Sequence, residues 1–262
     1  MLVFACITPH PPLLLPTIGK KVAKKVEKTK RAMEKLEEDL YLSKPDILIV
    51  ISPHGSCMND AFTLNLAPEY ETDLSEFGDI TTKLKFNGEQ ELTSLLREAS
   101  KEQAFATAVI SEPKIDHGAA VPLYYLAAHL PKIPIIPVGF CELDPKHHLD
   151  FGKMLQEQIS ELNKRVAVVA SGDLSHALTT DAPAGYSEAG AGFDAKIQEL
   201  LAAGNTAGML QLDKKLVADA AECGFRSFLI LMGALRGVNF NYKAYSYEAP
   251  FGVGYLVANF AM

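Results

Sequence analysis

The sequence predicts a single-domain α/β fold, three layers deep, with a central mixed, mostly parallel sheet flanked by helices. Three observations lead there. Short apolar, β-branched runs recur at Val3 to Ile7, Ile47 to Ser52, Ile133 to Gly139 and Val166 to Ser171. Near-continuous runs of this kind suit strands covered on both faces. Longer helical patterns separate them, and strands alternating with helices build a sheet between two helical layers. The length of 262 residues is near the upper limit for one hydrophobic core but within the range of large α/β domains. No repeat, low-complexity tract or linker divides the chain, so residues 1–262 read as one domain.

The elements follow in order. After the first strand and a Pro-rich loop, a helix is expected from Lys20 to Leu42, with Val22, Val26, Met33, Leu36 and Leu40 as its apolar stripe. Its first half is basic and its second acidic, which opposes the helix dipole. A solvated face explains the mixed charge, with a docking surface as the alternative. Phe62 to Phe86 carries short strand candidates among acidic loops. Helices are expected over Glu89 to Glu102, Val121 to Leu130 and Lys146 to Leu162, the last started by Asp144-Pro145, and in several pieces from Asp194 to Leu235. Phe240 to Phe260 reads as a strand pair joined around Glu248 to Gly252, which gives the sheet antiparallel edges.

A formal net charge of −7 and a pI near 5.5 offer no general attraction to nucleic acid or anionic lipid. Cys6, Cys57, Cys141 and Cys223 are widely spaced, without a CxxC pair, as expected of reduced thiols. No signal-peptide pattern and no apolar stretch long enough to span a bilayer is visible, so a cytoplasmic protein without membrane attachment is expected.

Three loops that follow strand candidates carry histidine: His10 in Thr8-Pro9-His10-Pro11-Pro12, His54 in Ser52-Pro53-His54-Gly55, and His176 after Gly172-Asp173-Leu174-Ser175. Ligands of α/β sheets bind beyond the carboxyl ends of the strands, so these imidazoles should share one rim. His117 sits beside Asp116 just before a helix opening, but adjacent side chains diverge, and Asp116 should not orient it. Glu248, in Tyr247-Glu248-Ala249-Pro250-Phe251-Gly252, is the expected anionic partner of His10 and His54. Two imidazoles and one carboxylate are the ligand set of non-haem Fe(II) oxygenases.

Through PHPP, SPHG, DHGAAVPL, SGDLSH and YEAPFGVGY, in this order, the chain resembles the class III extradiol ring-cleavage dioxygenases and the related Memo-like proteins over essentially its whole length. The resemblance implies an Fe(II) site of His10, His54 and Glu248, with His176 as the acid/base residue and His117 as a supporting or substrate-binding histidine. It also implies a catecholic aromatic diol and O2 as substrates, and an AMMECR-type or radical SAM protein as partner. A homodimer is compatible with it and with general base rates. Memo-like relatives place a cysteine near the position assigned to Glu248, so the glutamate favours the dioxygenase set. The rival readings are a Memo-like metal-binding accessory protein that turns over no catechol, and a zinc protein or metal hydrolase with the same ligands.

Other polar residues have plainer readings. Asp173 and Ser175 suit a turn and helix cap, with the orientation of His176 as their functional alternative. His129 suits the end of a helix, and His147 and His148 the surface. Cys223, with no basic neighbour, reads as a small buried or turn residue. Gly190-Ala191-Gly192 lacks the preceding strand a dinucleotide site requires, and Ser175-His176 lacks a nucleophile elbow. Loops from Cys57 to Gly88 and Thr179 to Phe193 are expected to shape the pocket entrance.

Overall fold

The computed structural model describes residues 1–262. Its strands are β1 (Leu2–Thr8), β2 (Ile47–Ser52), β3 (Phe62–Asn65), β4 (Glu69–Thr72), β5 (Lys85–Asn87), β6 (Thr107–Ile110), β7 (Lys114–Ile115), β8 (Ile135–Gly139), β9 (Val166–Ser171), β10 (Asn241–Glu248) and β11 (Tyr255–Ala261). Its helices are α1 (Glu27–Leu42), α2 (Gln90–Glu102), α3 (His117–Leu126), α4 (Pro145–Glu161), α5 (Glu188–Ala202), α6 (Thr206–Leu210), α7 (Lys214–Asp219) and α8 (Phe225–Ala234).

Eight strands form one sheet in the order β10-β11-β1-β9-β2-β8-β3-β6, and β5-β4-β7 form a small second sheet. The four central strands β1, β9, β2 and β8 are mutually parallel. β11 runs antiparallel to β1 and β10 antiparallel to β11, while β3 runs antiparallel to β8. The mixed sheet expected from the sequence is thus present.

Successive side chains of a strand point to opposite faces, and β1 and β2 divide accordingly. Ala5, Ile7, Ile49 and Ile51 join Leu92, Met154, Phe193 and Phe228 from α2, α4, α5 and α8 in one core layer. Phe4, Cys6, Leu48 and Val50 pack against Met33, Leu36 and Leu123 from α1 and α3 in the other. Both layers are apolar, which is why the strands read as unbroken apolar runs.

Three helix starts differ from expectation, one of them that of α5, which begins at Glu188 rather than Asp194. Residues before Glu27 form turns and a short 3-10 segment, so α1 begins seven residues later than the apolar stripe suggests. α3 begins at His117, because Asp116 caps it by accepting from the Ala119 N–H, and Pro122 lies inside it. Gly190 and Gly192 lie within α5, as their rejection as a dinucleotide site requires. No helix is long and apolar enough to cross a membrane.

Candidate metal centre

The carboxyl ends of β1, β2 and β9 deliver His10, His54 and the Asp173–His176 loop to one rim. Prolines on both sides of His10 restrict its backbone, and its N–H donates to Asp173 Oδ1 at 3.1 Å. Ser52 Oγ donates to Asp116 Oδ1 at 2.5 Å and accepts from the His54 N–H at 3.3 Å, which ties the His54 loop to the start of α3. A Cβ on Gly118 would lie 2.5 Å from Ser52 Oγ and 3.3 Å from the His54 ring, so only glycine lets α3 approach this closely. Asp116 is occupied by Ser52 and the helix cap and does not orient His117, as expected.

His10, His54 and His117 form one cluster. The His54 and His117 rings stack at 4.4 Å, and His10 meets them edge-on at 4.8 and 5.6 Å. Phe77, from the Cys57–Gly88 segment expected at the entrance, packs on His117 at 4.9 Å. A cleft of about 420 Å³ runs beside His54 past Asp73 and Glu76 of the same segment. The turn after Thr179 folds back on the other side, where the Ala184 N–H donates to the His176 carbonyl at 3.1 Å.

The tautomer of His10 follows from its partners. Ser171 Oγ lies 2.5 Å from the Gly118 carbonyl, which can only accept, so the hydroxyl proton goes there. Ser171 Oγ then accepts from His10 Nδ1, 2.8 Å away. His10 Nε2 is left with a lone pair aimed at His54 Nε2, at 3.0 Å, and Cys223 Sγ, at 3.6 Å.

Glu248, expected as the third ligand, is not among the gathered donor atoms. Its Oε1 accepts from the Thr29 N–H at 2.8 Å and from Thr29 Oγ1 at 2.5 Å. The first turn of α1 has unsatisfied N–H groups, and the residue before it, Val26, offers no capping side chain. Glu248 supplies that acceptor from β10. The donor atoms that gather are those of His10, His54 and Cys223, all within 4.8 Å of one another, with Asp173, His176 and Cys223 forming an overlapping group.

Cys223, read from the sequence as a small buried or turn residue, arrives by a contact between two loops. A Cβ on Gly172 would lie 2.2 Å from Gly224 Cα, so the backbone after β9 and the backbone before α8 touch directly. The Cys223 and Gly224 N–H groups both donate to the Asp173 carbonyl, and the Asp173 N–H donates to Cys223 Sγ at 3.3 Å. Ala221, two residues earlier, has φ 51°, a left-handed conformation unusual for a residue other than glycine. The sequence signal for Cys223 was its position just before Gly224 and a helix, a signal too common to single it out.

Burial dominates the electrostatics. It pushes the pKa of His10 well below the ordinary value, with His54, His117 and His176 adding to the effect. Burial also lowers His54, His117 and His176, so the imidazoles are neutral at pH 7. Asp173 is pushed up to about 7 by burial, against the His10 N–H, and the Cys223 thiol is raised well above its usual range. Asp173 Oδ2 lies 3.9 Å from His10 Nε2 and 4.0 Å from His176 Nε2, and His176 Nδ1 is buried without a hydrogen-bond partner.

This donor set fits a metal ion. Tetrahedral coordination with metal–nitrogen bonds of about 2.05 Å and a metal–sulfur bond of about 2.3 Å separates two nitrogens by roughly 3.3 Å and nitrogen from sulfur by roughly 3.6 Å. Here His10 Nε2 lies 3.0 Å from His54 Nε2 and 3.6 Å from Cys223 Sγ, and all three donor atoms lie within 4.8 Å of one another. A bound cation also reverses the thiol's preference, since a coordinating thiol is deprotonated.

The remaining histidines lie elsewhere. His129 pairs with Glu37 at 2.9 Å rather than ending a helix. His147 is exposed and bonded to Asp144, as a surface residue should be. His148, expected at the surface, is fully buried, with its ring nitrogens 3.0 Å from the Asp144 and Cys141 carbonyls.

Residues 4–258 match the family described as the catalytic LigB subunit of aromatic ring-opening dioxygenase. A Clostridium acetobutylicum protein known by its locus is 33% identical over 260 residues, covering 95% of this chain and 55% of that protein. A 2,3-dihydroxyphenylpropionate/2,3-dihydroxicinnamic acid 1,2-dioxygenase of Escherichia coli is 28% identical over 149 residues, covering 53% of this chain and 46% of the enzyme. The chain therefore spans about half the length of the curated relatives it matches. The crystal structure of an uncharacterized Escherichia coli K12 protein shares the fold, with a TM-score of 0.67 at 16% identity over 99% of this chain and 100% of that one.

Proposed function

The chain belongs to the family of catalytic LigB subunits of aromatic ring-opening dioxygenases, and from that premise we propose that it is an iron-dependent dioxygenase. Its substrate would be a vicinal aromatic diol, and its metal would be held by His10, His54 and Cys223. The observation carrying this reading is the convergence of those three donor atoms on one rim, with His117, His176 and Asp173 around them. A thiolate in the third position keeps the single negative charge of a two-histidine, one-carboxylate set.

The metal, when bound, supplies Lewis acidity toward the diol oxygens and the redox capacity that reaction with O2 requires. The protein's own residues do the rest. Ser171 holds His10 in the tautomer that presents Nε2. His176, with Asp173 Oδ2 at 4.0 Å, would take a hydroxyl proton from the diol and return it to the opened product. His117, stacked on His54 and in contact with Phe77, would be the supporting or substrate-binding histidine.

Cys223 favours a second reading. Soft thiolate with imidazole suits zinc or copper(I), so the centre would bind metal without diol turnover and act through a partner protein. Anaerobic purification with iron, zinc and copper analysis, followed by oxygen uptake on a panel of catechols, separates the two. Uptake by iron-loaded protein supports the dioxygenase. Its absence with every diol at full iron loading, together with tight zinc or copper retention, overturns it in favour of the second reading.

A further inference from the structure

The basic segment that leads into α1 borders a groove. Residues 20–35 carry eight lysine or arginine side chains against two glutamates, +6 within a chain of net −7, so the remaining residues carry −13. Lys24, Lys28, Arg31 and Lys35 recur at helical spacing and line one side of a groove of about 590 Å³, with Tyr245 and Glu248 of the edge strand β10 on the other. At about 1.5 Å per residue, the row extends over roughly 16 Å.

A solvated helix face of mixed charge is built from ion pairs, and the other helices show it. Lys101, Lys146, Lys196 and Lys215 each pair with a carboxylate on their own helix. In the groove, Arg31 pairs with Glu27 and Lys35 with Glu38 in the same way. Lys20, Lys21, Lys24, Lys25, Lys28 and Lys30, by contrast, have no carboxylate within 4.0 Å. Lys28 Nζ donates instead to the Tyr247 carbonyl at 2.9 Å, and Lys25 lies 5.4 Å from the centre of the Phe251 ring. The Glu248 carboxylate is held by Thr29. Positive charge at the start of a helix opposes its dipole, so these unpaired lysines weaken α1 rather than support it.

The surroundings select the kind of anion. Beyond Lys35 the same helix turns acidic at Glu38 and Asp39, and the rest of the chain is strongly negative, so a long polyanion or an anionic membrane plane is repelled outside the groove. A short acidic stretch of polypeptide avoids that repulsion. An extended peptide places alternate side chains on one side about 6.7 Å apart, so three alternate carboxylates span roughly 13 Å and fit within the row.

We propose that this groove binds an extended segment of a partner protein rich in aspartate and glutamate, with Lys24 and Lys28 as its principal contacts. The surface is separate from the metal centre, and its role does not depend on which reaction that centre carries out.

The test is fluorescence anisotropy of a labelled hexaglutamate peptide with the whole chain at an ionic strength of about 0.15 M, where a Debye length of about 8 Å lets only neighbouring charges act together. Lys24→Gln combined with Lys28→Gln should weaken binding about 10-fold, as expected for two exposed ion pairs near the upper end of their range. Lys24→Arg combined with Lys28→Arg should retain it. The glutamine variant should resist urea as well as the parent or better, which separates lost binding from lost structure. Lys196→Gln with Lys215→Gln removes the same charge from paired positions and should bind as the parent does. A thymidylate hexamer and phosphatidylserine vesicles should each bind more weakly than the peptide. Comparable or tighter binding of either, equal loss in the two glutamine variants, or no binding of the peptide at millimolar concentration would each overturn the proposal.

Discussion

His10 and Glu248 leave the sheet in the same direction and have opposite fates. β10 is antiparallel to β11, and β11 to β1, so β10 and β1 point the same way and both residues emerge on one rim. Each stands near proline just where its strand ends. They are separated by two strand spacings, about 10 Å. β1 lies inside the sheet, beside β9, so His10 meets Ser171 and Asp173. β10 is the sheet's edge, and Glu248 meets the uncapped first turn of α1. A polar residue at a strand end is assigned its role by the element packed beside it, which the local sequence does not name.

The comparison breaks most directly at Cys223. If it replaces Glu248 as the third ligand, Cys223→Ala should weaken metal binding by about 100-fold or more, beyond the 10- to 100-fold typical of losing an outer hydrogen-bond partner. His10→Ala and His54→Ala should do the same, with the circular dichroism spectrum of each variant unchanged. Metal analysis after dialysis checks this. Stoichiometric metal in Cys223→Ala would remove the thiol from the site.

His176 sharpens the same contrast, because it lies on the rim without being assigned as a ligand. His176→Gln should keep its metal and lose turnover by roughly 10²- to 10⁴-fold, the usual effect of losing a positioned acid/base. Steady-state oxygen uptake together with metal content reads both. Loss of the metal would make His176 a ligand instead.

The sequence displayed the fold more openly than the site. Val166–Ser171 and Ile47–Ser52 are apolar on both faces because helices cover both, and periodicity reports that directly. The histidines of the rim were legible because each follows such a strand. Cys223 was not, since its place depends on Gly172 touching Gly224 across some 50 residues of chain, a contact without local signature. The start of α1 was misplaced for a related reason. Its apolar stripe begins before Glu27, but the helix begins only where Glu248, more than 200 residues away, supplies the acceptor.

Asp194 connects the two regions. Its carboxylate accepts from the Ser175 N–H, beside His176, and from Tyr247 Oη, beside Glu248. Burial raises its pKa from 3.8 to about 6. As pH rises, the unfolded chain therefore releases this proton before the folded one does, and ionisation favours unfolding. The stability Asp194 contributes is fully present below pH 4 and is lost as pH rises through 6. A shift of about two units corresponds to roughly 3 kcal/mol. Urea unfolding at pH 4 and pH 7 should show Asp194→Asn losing less stability across that interval than the parent protein. Parallel pH profiles for the two proteins would refute this assignment.

The smallest expected effect tests the comparison at its other end. Glu248→Gln keeps an oxygen acceptor for the Thr29 N–H but removes the negative charge from the start of α1, which is worth about 0.3–1 kcal/mol. Glu248→Ala removes the acceptor too, and the loss should approach the roughly 1 kcal/mol typical of a missing helix cap. In both variants the metal content and its affinity should equal those of the parent, because the carboxylate is held by Thr29 and not by the histidine cluster. Chemical denaturation and metal analysis on the same preparations give the two readouts. Were Glu248→Gln to lose metal while Cys223→Ala kept it, the glutamate would be the ligand after all, and the contrast between the two strand ends would vanish.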